Sequence, residues 1–342
     1  MVVIANNQRA NSEPACAGQF DALANLCKAS ADPLRLQVLR GLKNESFGVS
    51  ELCSIFDIRQ PALSHHLKVL ASAGLVATRR EGNSIFYRRS EQATSGELGA
   101  LKSQIFESVD NIELPPAARL AMAALYVQRV ENSHSFFTQN AHKFQQQQDL
   151  IASYSQYADT VAQVLRDAPL DHHGIALEVG PGDGSFLKEL SAQFDQVVAL
   201  DNAAEMLEQA RNNAASAKLG NITYIHGDTG AKELLRLQAD CIVINMVLHH
   251  TPSPAKIFAD VAGALNPDGV VLVTDLCSHD QGWARENCGD LWLGFEPNDL
   301  ALWASDAGLE DISSVYLAQR NGFQIQVRLF GHSHNKKTNL ER

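Results

Sequence analysis

A short apolar run, Ile175-Ala176-Leu177-Glu178-Val179, passes without a spacer into Gly180-Pro181-Gly182-Asp183-Gly184, and a helical pattern starts near Phe186. A buried strand that empties into a glycine cluster at the head of a helix constrains the fold more than any other segment. Glycine lets the backbone pass close to a ligand, and the helix N-terminus favours a negative group. Similar units follow. Residues 196–200 form a second apolar run ending at Asp201, and residues 222–226 a third, followed by Gly227-Asp228. Residues 241–245 form a fourth, followed by Met246-Val247-Leu248-His249-His250. Leu265-Asn266-Pro267-Asp268-Gly269 turns into a fifth run over 270–273, and two last strands meet at Arg320-Asn321-Gly322, an Asn-Gly hairpin signal. Strands alternating with helical stretches predict an α/β, Rossmann-like domain over 169–330, its mostly parallel seven-stranded sheet closed by the antiparallel hairpin.

The front of the chain follows different rules. Asp32-Pro33 is a cap followed by a first-turn proline, and it opens a helix carrying Leu34, Val38, Leu39 and Leu42. A short helix near residues 50–56 and a turn at Asp57-Ile58-Arg59 precede a helix from Gln60 to about Ala73, which stops at Gly74. At 100° per residue, Leu63, Leu67 and Leu70 share a core stripe. Pro61, Ser64, His65 and Lys68 lie opposite, a polar and cationic face suited to a major groove. His66 is on the flank, where packing is expected. Two β-type runs then surround a Glu81-Gly82-Asn83 tip, with Arg79, Arg80, Arg88 and Arg89 on the strands. That wing would place arginines against phosphates, while the helix reads bases.

Charge divides along the same line. The chain has 342 residues, a length that suits two domains, and a formal net charge of -11. Residues 1–90 hold 11 basic and 7 acidic side chains, while the remainder holds 17 and 32. Only the front end is equipped to approach a polyanion. Residues 93–168 read as a helical linker with a break at Pro115-Pro116, expected to serve dimerisation or as a lid. Tyr154 and Tyr157 are the lid candidates, and the Gln145–Gln148 run reads as a solvated face. Residues 1–15 and 331–342 are expected to be flexible ends flanking a winged-helix domain over 16–92. No run of about 18 apolar residues appears, and the first eleven residues lack a basic-then-apolar leader. A cytoplasmic location with no membrane contact is the expectation.

The order Ala31-Asp32-Pro33-Leu34-Arg35, then Arg59-Gln60-Pro61-Ala62-Leu63-Ser64-His65-His66-Leu67, then the wing, resembles the ArsR-type repressors over about residues 20–90. The resemblance implies a homodimeric winged helix-turn-helix regulator on a double-stranded operator. Its DNA-binding residues would be Gln60, Pro61, Ser64, His65, Lys68, Arg79, Arg80, Asn83 and Arg88. Arsenic sensors of that family carry a Cys-Val-Cys pair where this chain has Gly48, Val49 and Ser50, so arsenite sensing there is not expected. None of the six cysteines forms a C-x-x-C pair, and no metal site is expected. Cys277 and Cys288 do not suggest an arsenite site either.

Residues 150–330 look like a class I S-adenosylmethionine-dependent methyltransferase. Glu178, Gly180, Gly182 and Gly184 match its first motif. Asp201 suits the ribose hydroxyls, and Asp228, after Gly227, suits the adenine amino group. The resemblance further implies Asn202 and Met206 beside the adenosine and Asn245 and Met246 beside the methionine part. The cofactor would be S-adenosylmethionine or S-adenosylhomocysteine. His249, His250, His279 and Asp280 are the candidates for a base, none singled out by spacing. The whole chain also resembles a group in which the two domains are fused. Two functions fit: a DNA-binding repressor responding to the nucleoside, or a methyltransferase acting on a small-molecule acceptor and repressing its own operon.

Overall fold

The computed structural model describes residues 13–81, 84–90, 97–140 and 144–332. The chain divides into two compact units, Met1–Met122 and Ala123–Arg342.

The first unit contains α1 (Glu13–Ser30), α2 (Pro33–Gly41), β1 (Phe47–Gly48), α3 (Val49–Phe56), α4 (Gln60–Ser72), β2 (Val76–Glu81), β3 (Ser84–Arg89) and α5 (Glu97–Asp110), and the start of α6 (Pro116–Asn140). The local causes are those the sequence carries. Asp32 caps α2 by accepting the Arg35 N–H at 3.0 Å, with Pro33 in the first turn. Asp57 ends α3 in the left-handed region at φ 49°, and Gly74, at φ 65°, follows α4. The three strands pair in the order β1-β3-β2. Leu63, Leu67 and Leu70 of α4 are fully buried together with Val38, Leu39 and Leu52.

One wing arginine departs from expectation. Arg89 is buried, and its Nε donates to the Leu39 carbonyl at 2.7 Å. Its two terminal nitrogens donate to the Asp110 carboxylate at 3.2 and 2.5 Å. It ties β3 to α2 and α5 and is not available to a phosphate. The cause is register: β3 pairs Arg89 with Val76 at the sheet's base, and Arg88 with Ala77.

The second unit takes the rest of α6, then α7 (Phe144–Ile151), α8 (Tyr154–Arg166), β4 (Ile175–Val179), α9 (Leu187–Gln193), β5 (Gln196–Asp201), α10 (Ala204–Ser216), β6 (Ile222–His226), β7 (Ala239–Asn245), α11 (Pro254–Ala264), β8 (Leu265–Leu276), α12 (Trp283–Cys288), α13 (Pro297–Asp306), β9 (Leu309–Ala318) and β10 (Gln324–His332). Its seven strands run β6-β5-β4-β7-β8-β10-β9. The first five pair in parallel, and β10 pairs antiparallel with both β8 and β9. Strand order reverses at β4, where β5 lies on one side and β7 on the other, so a crevice opens past their carboxyl ends. Central strands read as unbroken apolar runs because helices cover both faces: residues 241–244 and 270–273 are fully buried.

Three expectations shift. The turn over residues 265–269 is the start of β8 itself. The strand β10 continues to His332, past the expected start of a frayed tail. Gln148 is not on a solvated face: its amide lies 2.9 Å from His250 Nε2.

Arg89→Ala should lower unfolding free energy by about 2–4 kcal/mol, because it leaves the Leu39 carbonyl unpaired and Asp110 with only the Lys43 ammonium, 3.4 Å away. Arg88→Ala should change it by less than about 0.5 kcal/mol. Urea denaturation of both variants separates the two cases, and equal losses would contradict this assignment of Arg89.

Candidate functional site

The crevice at the reversal point is a cavity of about 560 Å³ within the second unit. Its floor is the exit of β4. Gly180 and Gly182 have φ of 65° and 58°, and a Cβ on Gly180 would lie 2.6 Å from Val247 Cγ2. Only glycine fits there. Asp201, at the end of β5, enters the cavity while one oxygen accepts the Ala203 N–H at 2.9 Å. Asp228, after β6, does likewise and accepts the Gly230 N–H at 2.9 Å. Met246 holds φ 55°, a left-handed conformation that costs a non-glycine residue about 1–3 kcal/mol and concentrates at binding sites.

Glu178, Gly180, Gly182, Asp201, Asn202, Met206, Gly227, Asp228, Asn245 and Met246 all line this one cavity. Gly184 does not: at φ 79°, its missing Cβ makes room for Ala210 of α10, so its role is helix packing. Of the four base candidates, His250 lines the cavity, while His249, His279 and Asp280 do not.

Glu178 Oε2 and both polar atoms of Asn245 are buried and carry no hydrogen-bond partner. Burial pushes the Glu178 carboxyl up to about 8, with Asn245 opposing and Asp183 adding to the shift. Orphaned polar atoms at the bottom of a cavity cost about 1–3 kcal/mol each unless a hydrogen-bond partner reaches them.

The cavity has a second wall that spacing did not reveal. Tyr126, Val130 and Phe137 of α6, Gln148 of α7, and Tyr154 and Tyr157 of α8 all face it. Tyr154 and Tyr157 stack edge-to-face with centroids 5.7 Å apart, and burial raises both hydroxyls well above the usual phenol range. The lid expectation for these two had only their position upstream of the sheet. The α6 residues had no signal, since that long helix shows no sharp amphipathic face.

In the first unit, α4 presents Gln60, Pro61, Ser64, His65 and Lys68 as exposed side chains on one face. His66 is half-buried, with Nδ1 3.7 Å from Asp32. On the wing, Arg80 is exposed and Arg79 and Arg88 are partly so. Asn83 lies outside the described residues.

Known proteins agree with both halves. Residues 32–78 match the family described as bacterial regulatory protein, arsR family. The biofilm growth-associated repressor of Agrobacterium fabrum is 43% identical over 88 residues, covering 26% of this chain and 75% of that protein. The chain belongs to the arsR family of bacterial regulatory proteins. Nodulation protein NolR of Rhizobium meliloti is 36% identical over 96 residues, 28% of this arsR-family chain and 79% of NolR. Residues 177–273 match a methyltransferase domain. A SAM-dependent methyltransferase structure from Aquifex aeolicus is similar at 18% identity and TM-score 0.43, covering 54% of this regulator and 96% of that chain. The sheet order and the domain match, rather than that distant likeness, carry the fold assignment. Among the described residues of this regulator, no helix is long and apolar enough to cross a membrane.

The lowered acidity of Glu178 has a consequence for stability. The folded regulator keeps a proton there that the unfolded chain releases above the ordinary value of 4.5. That contribution is therefore complete below 4.5 and is lost as pH climbs to about 8. Glu178→Gln, a neutral isostere, should flatten the decline in melting temperature over that window for the ligand-free protein. Superimposable profiles for wild type and variant would show that Glu178 is ionised throughout.

Proposed function

We propose that this arsR-family chain is a DNA-binding transcriptional repressor that acts as a homodimer in the cytoplasm. Its second unit binds S-adenosylmethionine or S-adenosylhomocysteine and uses that binding to set operator affinity. The observation that carries this reading is the convergence of Asp201, Asp228 and the orphaned Glu178 and Asn245 in one cavity at the sheet's reversal point. Asp201 accepts the ribose hydroxyls and Asp228 the adenine amino group, with Asn202 and Met206 beside the adenosine. Glu178 takes the ammonium group of the methionine part, next to Asn245 and Met246, and Gly180 and Gly182 let the backbone approach. On DNA, the α4 face of Gln60, Pro61, Ser64, His65 and Lys68 enters the major groove. Arg79, Arg80 and Arg88, together with Asn83, hold phosphates. The nucleoside acts through unequal affinity for the DNA-competent and incompetent dimers.

Gel-shift titration with each nucleoside should move operator affinity by about 5–150-fold, the usual range of such coupling. Asp201→Ala should remove that response and weaken nucleoside binding by roughly 10–100-fold in calorimetry. Lys68→Ala with Arg79→Ala should lower DNA affinity and flatten its salt dependence by about two contacts. If neither nucleoside changes operator affinity, the sensing reading fails.

Methyl transfer to a small apolar acceptor is the second reading. It is favoured by the wall of Tyr126, Val130 and Phe137, which belongs to none of the nucleoside motifs. Labelled methyl should pass from S-adenosylmethionine to a small molecule in extracts, and His250→Ala should slow that transfer if the imidazole serves as base. Extracts that yield no labelled product leave the sensing role alone.

A further inference from the structure

Three successive backbone carbonyls on the cavity's rim are held by side chains from elsewhere in the second unit. Ser133 Oγ donates to the His250 carbonyl at 3.0 Å, and a terminal nitrogen of Arg129 donates to the Pro252 carbonyl at 3.4 Å. The carbonyl between them, on Thr251, accepts Trp292 Nε1 at 2.7 Å, and the Arg129 guanidinium lies over that same indole ring at 4.9 Å. Phe137 meets the His250 ring edge-to-face, with centroids 5.0 Å apart. Arg129, Ser133 and Phe137 follow one another at four-residue steps and so share one face of α6.

The loop they grip belongs to the nucleoside cavity. Met246, Val247, His250, Thr251 and Pro252 all line it. The side chain of Val247 occupies the space that a Gly180 Cβ would need. Asn245, whose amide atoms have no partner, immediately precedes Met246 at φ 55°. A nucleoside that gives the Asn245 amide its partners therefore acts on the strained start of this loop, while the other end of the loop is bonded to α6.

Two features set the contact apart from ordinary helix packing. Its polarity is inverted: Arg129 and Ser133 are each 9% exposed, while Val127 on the same helix is 52% exposed. Docking by apolar packing would bury the valine instead. Hydrogen bonds to carbonyls exchange with water at small net cost, so such a grip can be released and remade, which a close-packed apolar face resists. The helix is also unbroken. No glycine or proline interrupts α6 after Pro116, and its residues 116–122 belong to the first unit. There Ala118 is buried, and the Met122 sulfur lies 3.9 Å from where a Gly41 Cβ would stand at the end of α2.

We propose, on the basis of the sensing role, that Arg129 and Ser133 are positioning residues that read nucleoside occupancy from the loop after β7 and pass it along α6 to the DNA-binding unit. The nucleoside biases the loop, the loop carbonyls bias the grip, and α6 is the element whose two states both sites sense. Arg129 is not part of the cavity lining, so its effect is on the coupling between the two sites and not on the nucleoside contacts themselves.

The test uses the full-length protein. Calorimetry gives nucleoside affinity, and fluorescence anisotropy gives operator affinity with and without saturating S-adenosylmethionine or S-adenosylhomocysteine. Wild type should show the operator response of about 5–150-fold. Arg129→Met keeps a long side chain but no donor and no charge. It should hold nucleoside within about 5-fold of wild type, yet respond at the operator by less than about 2-fold. Arg129→Lys, which returns a donor for Pro252 and a cation for the indole, should recover most of the response. Ser133→Ala and Ser133→Thr should repeat that contrast. A merely structural role would lower melting temperature and both affinities together while leaving the response at saturation intact. Hydrogen exchange on the wild type needs no variant: nucleoside should change amide protection along residues 119–140, the turn before Ala123 included. A full operator response from Arg129→Met, or unchanged protection along α6, would overturn the relay while the sensing role stands. A wild type that binds nucleoside with no operator response removes the sensing role and the relay with it.

Discussion

The cavity exists because the backbone leaves β4 in a conformation that side chains resist. Gly180, Gly182 and Gly184 all have positive φ, between 58° and 79°. A Cβ at the first would strike Val247, and one at the third would crowd Ala210 at 3.1 Å. Replacing Gly180 would force the loop after β7 away from β4. Replacing Gly184 would push α10 off the sheet. One run of glycines thus sets both the width of the crevice and the seating of the helix beside it, and the acidic strand ends Asp201 and Asp228 are placed relative to that frame.

A second constraint fixes the crevice's far side. Asp275, fully buried on β8, accepts the Leu248 and Leu276 amides and meets His249 Nδ1. The His249 carbonyl in turn accepts the Leu291 and Trp292 N–H groups at 2.9 and 3.1 Å, and Trp292 Nε1 donates to the Thr251 carbonyl at 2.7 Å. The segment 289–295 therefore hangs from the β7 loop through backbone bonds. Stripping a buried, fully bonded carboxylate from such a frame costs about 3–5 kcal/mol, several times a surface contact.

What was legible in the chain follows from range. Strand runs, caps and the Asn-Gly hairpin are local, so Asp32, Asp201 and Asn321 could be placed from their neighbours alone. The α4 face was legible because Leu63, Leu67 and Leu70 keep helical spacing against Ser64, His65 and Lys68. Arg89 was misread because its sequence looks like that of Arg88, and only the partner at Asp110, 21 residues on, distinguishes them. Gln148 looked solvated in a polar run, but its partner is 102 residues away. Sequence separation likewise hid the α6 wall. Residues whose role depends on a remote partner carry no periodic signal.

The two ends of the parallel sheet show how structure and site differ in the same material. At the amino end, Asp240 Oδ2 accepts the Gly174 and Ile175 amides at 2.9 and 3.0 Å, and Oδ1 accepts Asn266 Nδ2 at 2.7 Å. Every oxygen of that carboxylate is used, and its effect is confined to holding β4 and β8 against β7. At the carboxyl end of the same two strands, Glu178 Oε2 and the Asn245 amide have no partner. Folding gains nothing from burying them so, and each costs about 1–3 kcal/mol. The apolar runs of β4, β7 and β8 supply the surplus that tolerates this. Polar atoms left open at one edge of the sheet, the Asn245 Nδ2 donor and the Glu178 and Asn245 oxygens, mark that edge as the place where a ligand could supply both an acceptor and donors.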